Sequence, residues 1–215
     1  MMSRIIIKNC NECELDIPQK YALKLYEELS IKHPQSFYLM RKVRGWDGKV
    51  HFLNKYGVFK IGMLPRIYQT LIDWGLKIKI VDTRKPIPKS KIVKQVGNYK
   101  LRKEQLQALE NILRYKIDNI PFHIGVVNAA VNFGKSLLMS SLYYSYDRQL
   151  KTLLITQDAD WLRQSQKEFQ DYLPNEKITF IQGSKVENWS NFSIGMVQSI
   201  SRNIKKYQKE LAQID

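Results

Sequence analysis

An apolar segment that ends in Gly-Lys-Ser constrains this chain more than any other feature. Residues 125–136 read Gly-Val-Val-Asn-Ala-Ala-Val-Asn-Phe-Gly-Lys-Ser, and an apolar stretch continues from Leu137 to Tyr146. The pattern predicts a buried strand over Phe122 to Asn128, then a loop, then a helix. In that setting a Gly-Lys-Ser forms a phosphate-binding loop, because the loop N–H groups and the helix N-terminus converge on one anion.

The lysine and the serine of such a loop have separate tasks. Lys135 is expected to reach the β- and γ-phosphates of a nucleotide, and the Ser136 hydroxyl to bind Mg²⁺. Asn132, Phe133 and Gly134 complete the predicted phosphate site. A Gly-Lys-Ser also occurs by chance, and a coincidental turn is the alternative. The strand before it and the helix after it favour the nucleotide site.

The charge of the chain favours a polyanionic partner. The 215 residues contain 35 Lys and Arg against 20 Asp and Glu, for a formal net charge of +15. From Met1 to Gly97 there are 19 basic and 8 acidic residues, a net charge of +11. Nucleic acid is the leading candidate, and a solvated basic face is the alternative. A membrane surface is disfavoured, because no long basic amphipathic helix occurs.

Composition argues against membrane, secreted and zinc-binding classes. No apolar run approaches the ~20 residues of a membrane span, and Ile5-Ile6-Ile7 is too short for a signal peptide. We therefore expect a cytoplasmic protein. The cysteines are Cys10 and Cys13, whereas a structural zinc needs four ligands. We expect both to be reduced thiols without a functional role.

The pattern predicts two domains of different classes. Residues 1–82 read as a small basic α+β domain, residues 83–97 as a linker, and residues 98–215 as an α/β domain with a parallel sheet. In the second domain, helices and strands are expected to alternate. They are the helix Lys103 to Tyr115, the strands Thr152 to Thr156, Ile178 to Ile181 and Ser193 to Val197, the helix Ala159 to Tyr172 and a helix from Gln198.

A basic hairpin is predicted in the first domain. Phe37 to Val43 and Lys49 to Leu53 read as two strands joined at an Asp-Gly turn. Trp46 stands there among Arg and Lys side chains, a combination typical of surfaces that stack on bases and contact phosphates. Packing of Trp46 in the core is the alternative. The residues expected to touch nucleic acid here are Arg41, Lys42, Arg44, Trp46 and Lys49.

Several segments, taken in order, form a series of motifs. They are Leu101-Arg102-Lys103-Glu104-Gln105, Asn128 to Ser136, Leu153 to Thr156 with Trp161 to Gln164, and Gly195 to Ser199. The series resembles superfamily 2 DNA helicases, in particular phage recombination helicases of the UvsW type. The segments are similar to the Leu-Arg-x-Tyr-Gln motif, motif I, motif Ia and the stretch before motif II. Gly45 to Lys49 and Gly62 to Ile67 resemble the small N-terminal domain of that type.

The resemblance implies a RecA-like P-loop fold and roles for further residues. By that similarity Gln105 reads the adenine edge, with Arg102 on the adenine side. Arg66, Gln164 and Gln198 join the residues expected to contact nucleic acid. The implied cofactors are ATP and Mg²⁺. The implied partner is duplex, forked or branched DNA, with RNA left open, and a phage-encoded protein would act in the host cytoplasm.

The chain also departs from the helicase pattern. Glu104 replaces the usual aromatic, Val131 replaces a Thr beside the phosphates, and Gln157-Asp158 replaces Pro-Thr in motif Ia. An Asp at that position would repel a phosphate backbone. No Asp-Glu dipeptide, the core of motif II, occurs in the 215 residues. We therefore expect a first RecA-like domain truncated before motif II, missing its second RecA-like domain and inactive alone.

The sequence thus predicts the N-terminal part of an ATP-dependent DNA helicase or translocase that remodels branched DNA in recombination, repair or replication. Two alternatives remain open. One is a non-enzymatic nucleic-acid-binding protein with a vestigial P-loop. The other is the motor fragment of a restriction-type translocase.

Overall fold

A computed structural model of the chain describes residues 3–183 and 188–214. The chain divides into two compact units. The first unit comprises Met1–Pro86 and Tyr115–Gly125, and the second comprises Ile87–Arg114 and Val126–Asp215. Each unit has its own apolar core.

Short strands and helices make up both units. The first part of the chain contains β1 (Ser3–Ile7), β2 (Glu12–Asp16), α1 (Gln19–Glu28), β3 (Ser30–Lys32), α2 (Ser36–Lys42), β4 (Lys49–His51), β5 (Val58–Lys60), α3 (Leu64–Asp73) and β6 (Ile78–Asp82). There follow β7 (Gln95–Val96), β8 (Tyr99–Lys100), α4 (Lys103–Arg114), β9 (Lys116–Ile117), β10 (Ile120–Pro121), α5 (Lys135–Ser145), β11 (Thr152–Thr156), α6 (Ala159–Tyr172), β12 (Ile178–Ile181), β13 (Phe192–Met196), α7 (Val197–Arg202) and α8 (Gln208–Leu211). None of the helices in the described part of the chain combines the length and the apolar character needed to cross a membrane.

A four-stranded sheet forms the first unit. Its strand order is β5-β2-β1-β6, with β1 antiparallel to β2 and parallel to β6. The Ser-Arg-Ile-Ile-Ile sequence of β1 alternates, so Ile5 and Ile7 are fully buried on one face. Leu25 of α1 and Ile67 and Leu71 of α3 belong to the same core. The predicted α+β class of this unit follows from that arrangement.

Helix α3 begins and ends at residues that favour a helix start and a helix stop. Pro65 lies in its first turn, where a missing N–H costs nothing. The helix stops at Gly75, which has φ +79°, a left-handed conformation that glycine adopts without a steric penalty. Leu76 N–H donates to the Leu71 carbonyl at 3.1 Å, and Gly75 N–H donates to the Ile72 carbonyl at 2.8 Å.

The predicted basic hairpin is wrong. Residues 37–43 were expected to be a strand, but Ser36–Lys42 is helix α2, and β4 pairs with β3 instead. Two local features favour the helix. Leu, Met, Arg and Lys have high helix propensity, and residues 36–42 include no β-branched residue. A strand also needs a hydrogen-bonding neighbour, and β4 has already been paired by Ser30–Lys32.

An unpredicted hairpin joins the first unit from far along the chain. Strands β9 and β10 are antiparallel and turn at Asp118 and Asn119, both with positive φ. Their φ values of 49° and 65° suit the tight turns that twist with a two-stranded ribbon. Ile117 and Phe122 are buried in the core of the first unit. The hairpin therefore completes that core.

A three-stranded parallel sheet forms the centre of the second unit. Its order is β11-β13-β12, and Phe192 and Ile194 of the central strand are fully buried. Helices α4, α5 and α6 contribute Leu109, Leu138 and Phe169 to the core. Strands β11 and β12 and helix α6 have the bounds that the sequence predicts, and β13 begins one residue earlier.

The predicted strand before the Gly-Lys-Ser is also wrong. Residues 122–131 have no regular secondary structure, and Val126 is 95 % exposed. Only Phe122, in the first unit, is buried within the predicted strand. Apolar β-branched residues favour a strand, but a strand also needs a neighbour for its backbone groups. None of the strands among residues 3–183 and 188–214 pairs with this segment.

Candidate nucleotide-binding site

The Gly-Lys-Ser loop turns sharply into helix α5. Asn132 and Gly134 both have left-handed backbones, with φ 64° and φ 85°. Phe133 N–H donates to the Ala130 carbonyl at 3.3 Å and closes the turn between them. Position 134 favours glycine for two reasons. The left-handed backbone is unfavourable for residues with a side chain, and a Cβ there would lie 2.5 Å from the Gln105 side-chain nitrogen.

Two side chains from the start of α4 hold this loop. The buried Gln105 donates from Nε2 to the Phe133 carbonyl at 2.7 Å, and its Oε1 accepts the Arg102 N–H at 2.9 Å. The Arg102 guanidinium donates to the carbonyls of Phe133, at 2.7 Å, and Asn132, at 3.3 Å. Gln105 and Arg102 therefore contact the loop backbone directly, and reading of adenine by Gln105 stays a prediction.

The loop leads directly into the N-terminus of an eleven-residue helix. The first intrahelical bond is donated by Leu138 to the Gly134 carbonyl at 3.0 Å. The N–H groups of Lys135, Ser136 and Leu137 consequently have no acceptor inside the helix. They carry the positive end of the helix dipole, and the first turn holds no acidic residue that would compete for them. This end of α5 suits a phosphate.

Lys135 and Ser136 are the first two residues of α5. The exposed Lys135 donates from Nζ to the Ala130 carbonyl at 2.9 Å, so its ammonium is folded back over the loop. Ser136 is buried in the first turn. The described residues contain no group of three His, Cys, Asp or Glu side chains that would hold a metal. The donor set thus fits phosphates, and Mg²⁺ only through Ser136 and the phosphates themselves.

Helix α5 is anchored firmly behind the loop. It contains three fully buried serines, Ser140, Ser141 and Ser145. Their hydroxyls donate to the carbonyls four residues back, at 3.0, 2.7 and 2.7 Å. Small hydroxyls satisfied within the helix let it pack closely on neighbouring helices without unpaired polar groups. Tyr143 of α5 is also buried.

The sequence of the second unit matches a known family. Residues 98–214 fit the profile of ResIII, described as "Type III restriction enzyme, res subunit". This span is more than half of the chain. The chain belongs to the ResIII family. Membership identifies a helicase-type motor domain and implies that the domain uses a nucleotide, ATP. No curated protein matches the chain in sequence.

Solved structures share the fold of the whole chain. The UvsW helicase from bacteriophage T4 superposes with a TM-score of 0.76 at 18 % identity, over 100 % of this chain and 80 % of that one. A second crystal structure of T4 UvsW gives a TM-score of 0.71 at 18 % identity, over 93 % and 44 %. The predicted RecA-like fold and UvsW-type resemblance are confirmed.

The carboxyl edge of the sheet in this unit brings together the ends of β11 and β13. Thr156 and Met196 are register partners at the ends of β11 and β13, and Gln198 Nε2 donates to the Gln157 carbonyl at 3.4 Å. Asp158 is the N-cap residue of α6. Its Oδ1 accepts the N–H groups of Asp160 at 2.8 Å and Trp161 at 3.1 Å. Asp158 therefore has a structural role at the start of α6, and its repulsion of a phosphate backbone stays a prediction.

The remaining predicted contacts of this unit lie on the surface. Gln164 is exposed on α6, and Gln198 is exposed at the start of α7. Trp161 packs against the second core, with its ring edge-on to Phe169 at 6.3 Å, so it is a packing residue. In the first unit, Arg66 is exposed on α3.

Trp46 and Lys49 have structural partners that the sequence did not reveal. The indole N–H of Trp46 donates to the Lys49 carbonyl at 2.9 Å, and its ring meets His33 edge-on at 5.7 Å. Lys49 Nζ pairs with Glu27 at 3.2 Å. By contrast, the side chains of Arg41, Lys42 and Arg44 are exposed. The exposed cations of α2 and its C-terminal turn are better placed for a ligand than Trp46 or Lys49.

The compact units share the positive charge nearly equally. By sequence the first unit has 17 basic and 9 acidic residues and the second has 18 and 11, net charges of +8 and +7. The excess counted up to Gly97 includes lysines of the second unit, at positions 89, 91 and 94. Any electrostatic attraction of a polyanion is therefore a property of both units.

Proposed function

We propose that this chain is the nucleotide-binding and nucleic-acid-binding part of an ATP-dependent DNA translocase that remodels branched DNA. The observation that carries the proposal is the loop at Gly134 and Lys135, braced by Gln105 and Arg102 at the N-terminus of α5. Membership of the ResIII family and the UvsW fold support it. Cytoplasmic action on recombination or repair intermediates is part of the proposal.

The loop residues would perform the binding chemistry. Lys135 would exchange its bond to the Ala130 carbonyl for one to a phosphate oxygen, and the free N–H groups of the first turn would donate to the same phosphate. Bound Mg²⁺ would neutralise phosphate charge beside the Ser136 hydroxyl. Gln105 and Arg102 both donate to the Phe133 carbonyl, so this carbonyl is already occupied. The loop is therefore held in shape before a ligand arrives.

Hydrolysis by this chain alone is not part of the proposal. Phosphoryl transfer needs a carboxylate that positions the metal and a group that orients the attacking water. The 215 residues contain no Asp-Glu dipeptide, and residues 3–183 and 188–214 contain no cluster of three candidate metal ligands. We expect nucleotide to bind and to stay intact.

Calorimetric titration with ADP and with a non-hydrolysable ATP analogue tests the proposal. Lys135→Ala is expected to reduce binding below detection, because it removes the ammonium aimed at the phosphates. Lys167→Ala, an exposed lysine on α6 of the same unit, is the matched control and is expected to bind like wild type. If the two variants bind nucleotide equally well, or if wild type binds none, the proposal is contradicted. The chain would then be a nucleic-acid-binding protein with a vestigial loop.

The family description favours a second candidate, the motor of a restriction-type translocase. The two candidates differ in their preferred DNA. A branch-remodelling enzyme is expected to bind a four-way or forked junction more tightly than a linear duplex of the same length and composition. Fluorescence anisotropy with both ligands at one salt concentration measures the preference. Equal affinities would favour the restriction-type motor.

A further inference from the structure

Helix α2 exposes an unusual set of apolar side chains. Phe37 is 64 % exposed, Tyr38 69 %, Met40 48 % and Val43, just after the helix, 51 %. Within the helix only Ser36 is buried. Single exposed apolar residues are common on protein surfaces, but a contiguous group marks a binding surface. We call Phe37, Tyr38, Met40 and Val43, with the cations Arg41, Lys42 and Arg44, the α2 surface.

The aromatic rings of the α2 surface are arranged with an arginine. Phe37 and Tyr38 meet edge to face, with ring centroids 5.6 Å apart and ring planes at 85°. The Arg41 guanidinium lies 4.5 Å from the centroid of the Phe37 ring. Both rings are nevertheless more than half exposed, so aromatic surface remains open to solvent beside the Arg41 cation. Aromatic faces and arginine planes are the groups on which nucleic-acid bases stack.

The sequence segment that contains the α2 surface is rich in positive charge. From Ser30 to Lys60 the sequence has seven Lys and Arg and one carboxylate, that of Asp47. Asp47 is engaged, because its Oδ2 lies 2.6 Å from His51 Nε2 and its Oδ1 accepts the Lys49 N–H. Within the described part of the chain, no carboxylate pairs with Arg41, Lys42 or Arg44. Their charge is available to a polyanion.

The backbone beneath α2 fixes the helix in place. Gly48 has φ +75°, and a Cβ there would lie 2.8 Å from Met40 Sδ, so the chain passes directly against the helix. His33 N–H donates to the Gly48 carbonyl at 2.9 Å. Below them the His51 ring stacks on Tyr26, with centroids 3.8 Å apart and planes 5° apart. The exposed aromatics therefore stand on a supported helix.

We propose that the α2 surface is a stacking platform for unpaired bases of a nucleic-acid strand. Phe37 and Tyr38 take the base faces, and Arg41, Lys42 and Arg44 contact the neighbouring phosphates. The inference deepens the proposed function and rests on it. The ligand is single-stranded because a duplex buries its base faces between neighbouring pairs and offers only phosphates along its length. The local charge complements a nucleic acid, whereas the cores of protein interfaces are depleted of lysine.

Fluorescence titration of the full chain with an oligonucleotide that carries 2-aminopurine tests the platform. Phe37→Ala with Tyr38→Ala is expected to weaken single-strand binding about tenfold or more and to abolish quenching of the probe. Binding of a blunt duplex is expected to change less than threefold. Tyr56→Ala is the matched control, because Tyr56 is an aromatic of the same unit that is 86 % exposed. Tyr38→Phe, which keeps the ring, is expected to bind like wild type.

The alternatives give different results. If wild type binds nucleic acid and the double variant binds single strands equally well, the platform is overturned and the proposed function stands. Equal losses for single strand and duplex would also overturn it. A wild type without affinity for any nucleic acid overturns both proposals. A monomer–dimer equilibrium that the double variant abolishes, without a loss of single-strand binding, would assign the α2 surface to a second copy of the chain. Circular dichroism melting checks that the double variant is folded.

Discussion

The side-chain nitrogen of Gln105 donates a 2.7 Å hydrogen bond to the carbonyl of Phe133, two residues before the Gly-Lys-Ser lysine. The bond joins the first turn of α4 to the loop in front of α5. Gln105 is buried, and its Oε1 is also satisfied, by the Arg102 N–H. A buried amide with both of its ends bonded specifies one loop conformation, because any other leaves a polar group unpaired.

Gln105→Glu is expected to weaken nucleotide binding about tenfold and to lower the free energy of unfolding by about 1–3 kcal/mol. The carboxylate has no N–H to donate, and it would place a negative charge against the Phe133 carbonyl. Gln107→Glu is the control, because this glutamine is exposed on the same helix. Calorimetry and urea unfolding measure the two effects. A normal affinity in Gln105→Glu would mean that the loop holds its shape without the bond.

Gly134→Ala is expected to abolish nucleotide binding at a cost of about 1–3 kcal/mol in the free energy of unfolding. The φ of +85° is unfavourable for alanine, and the new Cβ would lie 2.5 Å from Gln105 Nε2. Gly125→Ala serves as the comparison, since a Cβ at that glycine meets no atom within 4 Å. Binding is measured by titration with ADP. A Gly134→Ala protein that binds ADP normally would show that the left-handed turn is dispensable.

Lys42→Glu with Arg44→Glu is expected to weaken nucleic-acid binding and to flatten its salt dependence. Each lost phosphate contact lowers the slope of log K against log salt by about 0.7 for a single strand. Lys77→Glu with Lys79→Glu makes the same charge change at the same spacing on exposed residues of the first unit. Anisotropy at four salt concentrations compares the pairs. If the two double variants show the same salt dependence of binding, the loss of affinity is a general effect of net charge and not of the α2 surface.

The two cysteines are expected to react with thiol reagents at very different rates. Burial raises the pKa of the Cys13 thiol to about 11, so little thiolate forms at neutral pH, whereas Cys10 is exposed. One fast equivalent of reagent is expected in the folded protein and two in denaturant. Cys10→Ser is expected to remove the fast phase. A fast phase that survives in Cys10→Ser would place Cys13 within reach of solvent.

Asp82 and Arg84 are expected to make folding sensitive to acid. Hydrogen bonds from the Arg84 side chain hold the pKa of the Asp82 carboxyl below its usual 3.8. A depressed pKa in the folded state stabilises the protein above the unfolded pKa, and this stability is lost as the pH falls through the folded value. The stability difference between wild type and Asp82→Asn is therefore expected to shrink below pH ~4. In an Arg84→Gln background the difference is expected to depend less on pH.

The sequence predicted helices and strands well where local signals agree. Helix α6 has an Asp158 cap, an apolar stripe that includes Leu162 and Phe169, and polar residues elsewhere, so each signal indicates the same helix. It failed for α2, where aromatic residues typical of strands lie in a helix that exposes them. It also failed for residues 122–131. Whether apolar residues form a strand there depends on pairing with distant residues.

The phosphate loop could be predicted from the order of its residues, but its bracing could not. The Gly-Lys-Ser tripeptide and the helix after it are local features. The bonds from Gln105 and Arg102 to the Phe133 carbonyl join residues about thirty positions apart. The α2 surface could not be predicted, because residues 37–43 were expected to form a strand. The spacing of Phe37 and Arg41, four residues apart, is the signal that would have paired them on a helix.

The hairpin of β9 and β10 has a consequence for the genetics of this protein. The first unit is interrupted after Pro86 by Ile87–Arg114, which contains α4 and belongs to the second unit. Residues Tyr115–Gly125 then belong to the first unit again. Its Ile117 and Phe122 close a core made mostly of residues before Pro86. No single cut in the gene therefore separates the two units intact. A recombination crossover between related genes near Pro86 would combine a first unit and a hairpin from different parents. Ile117 and Phe122 would then pack against a core to which they are not matched. The two units are therefore expected to be inherited together.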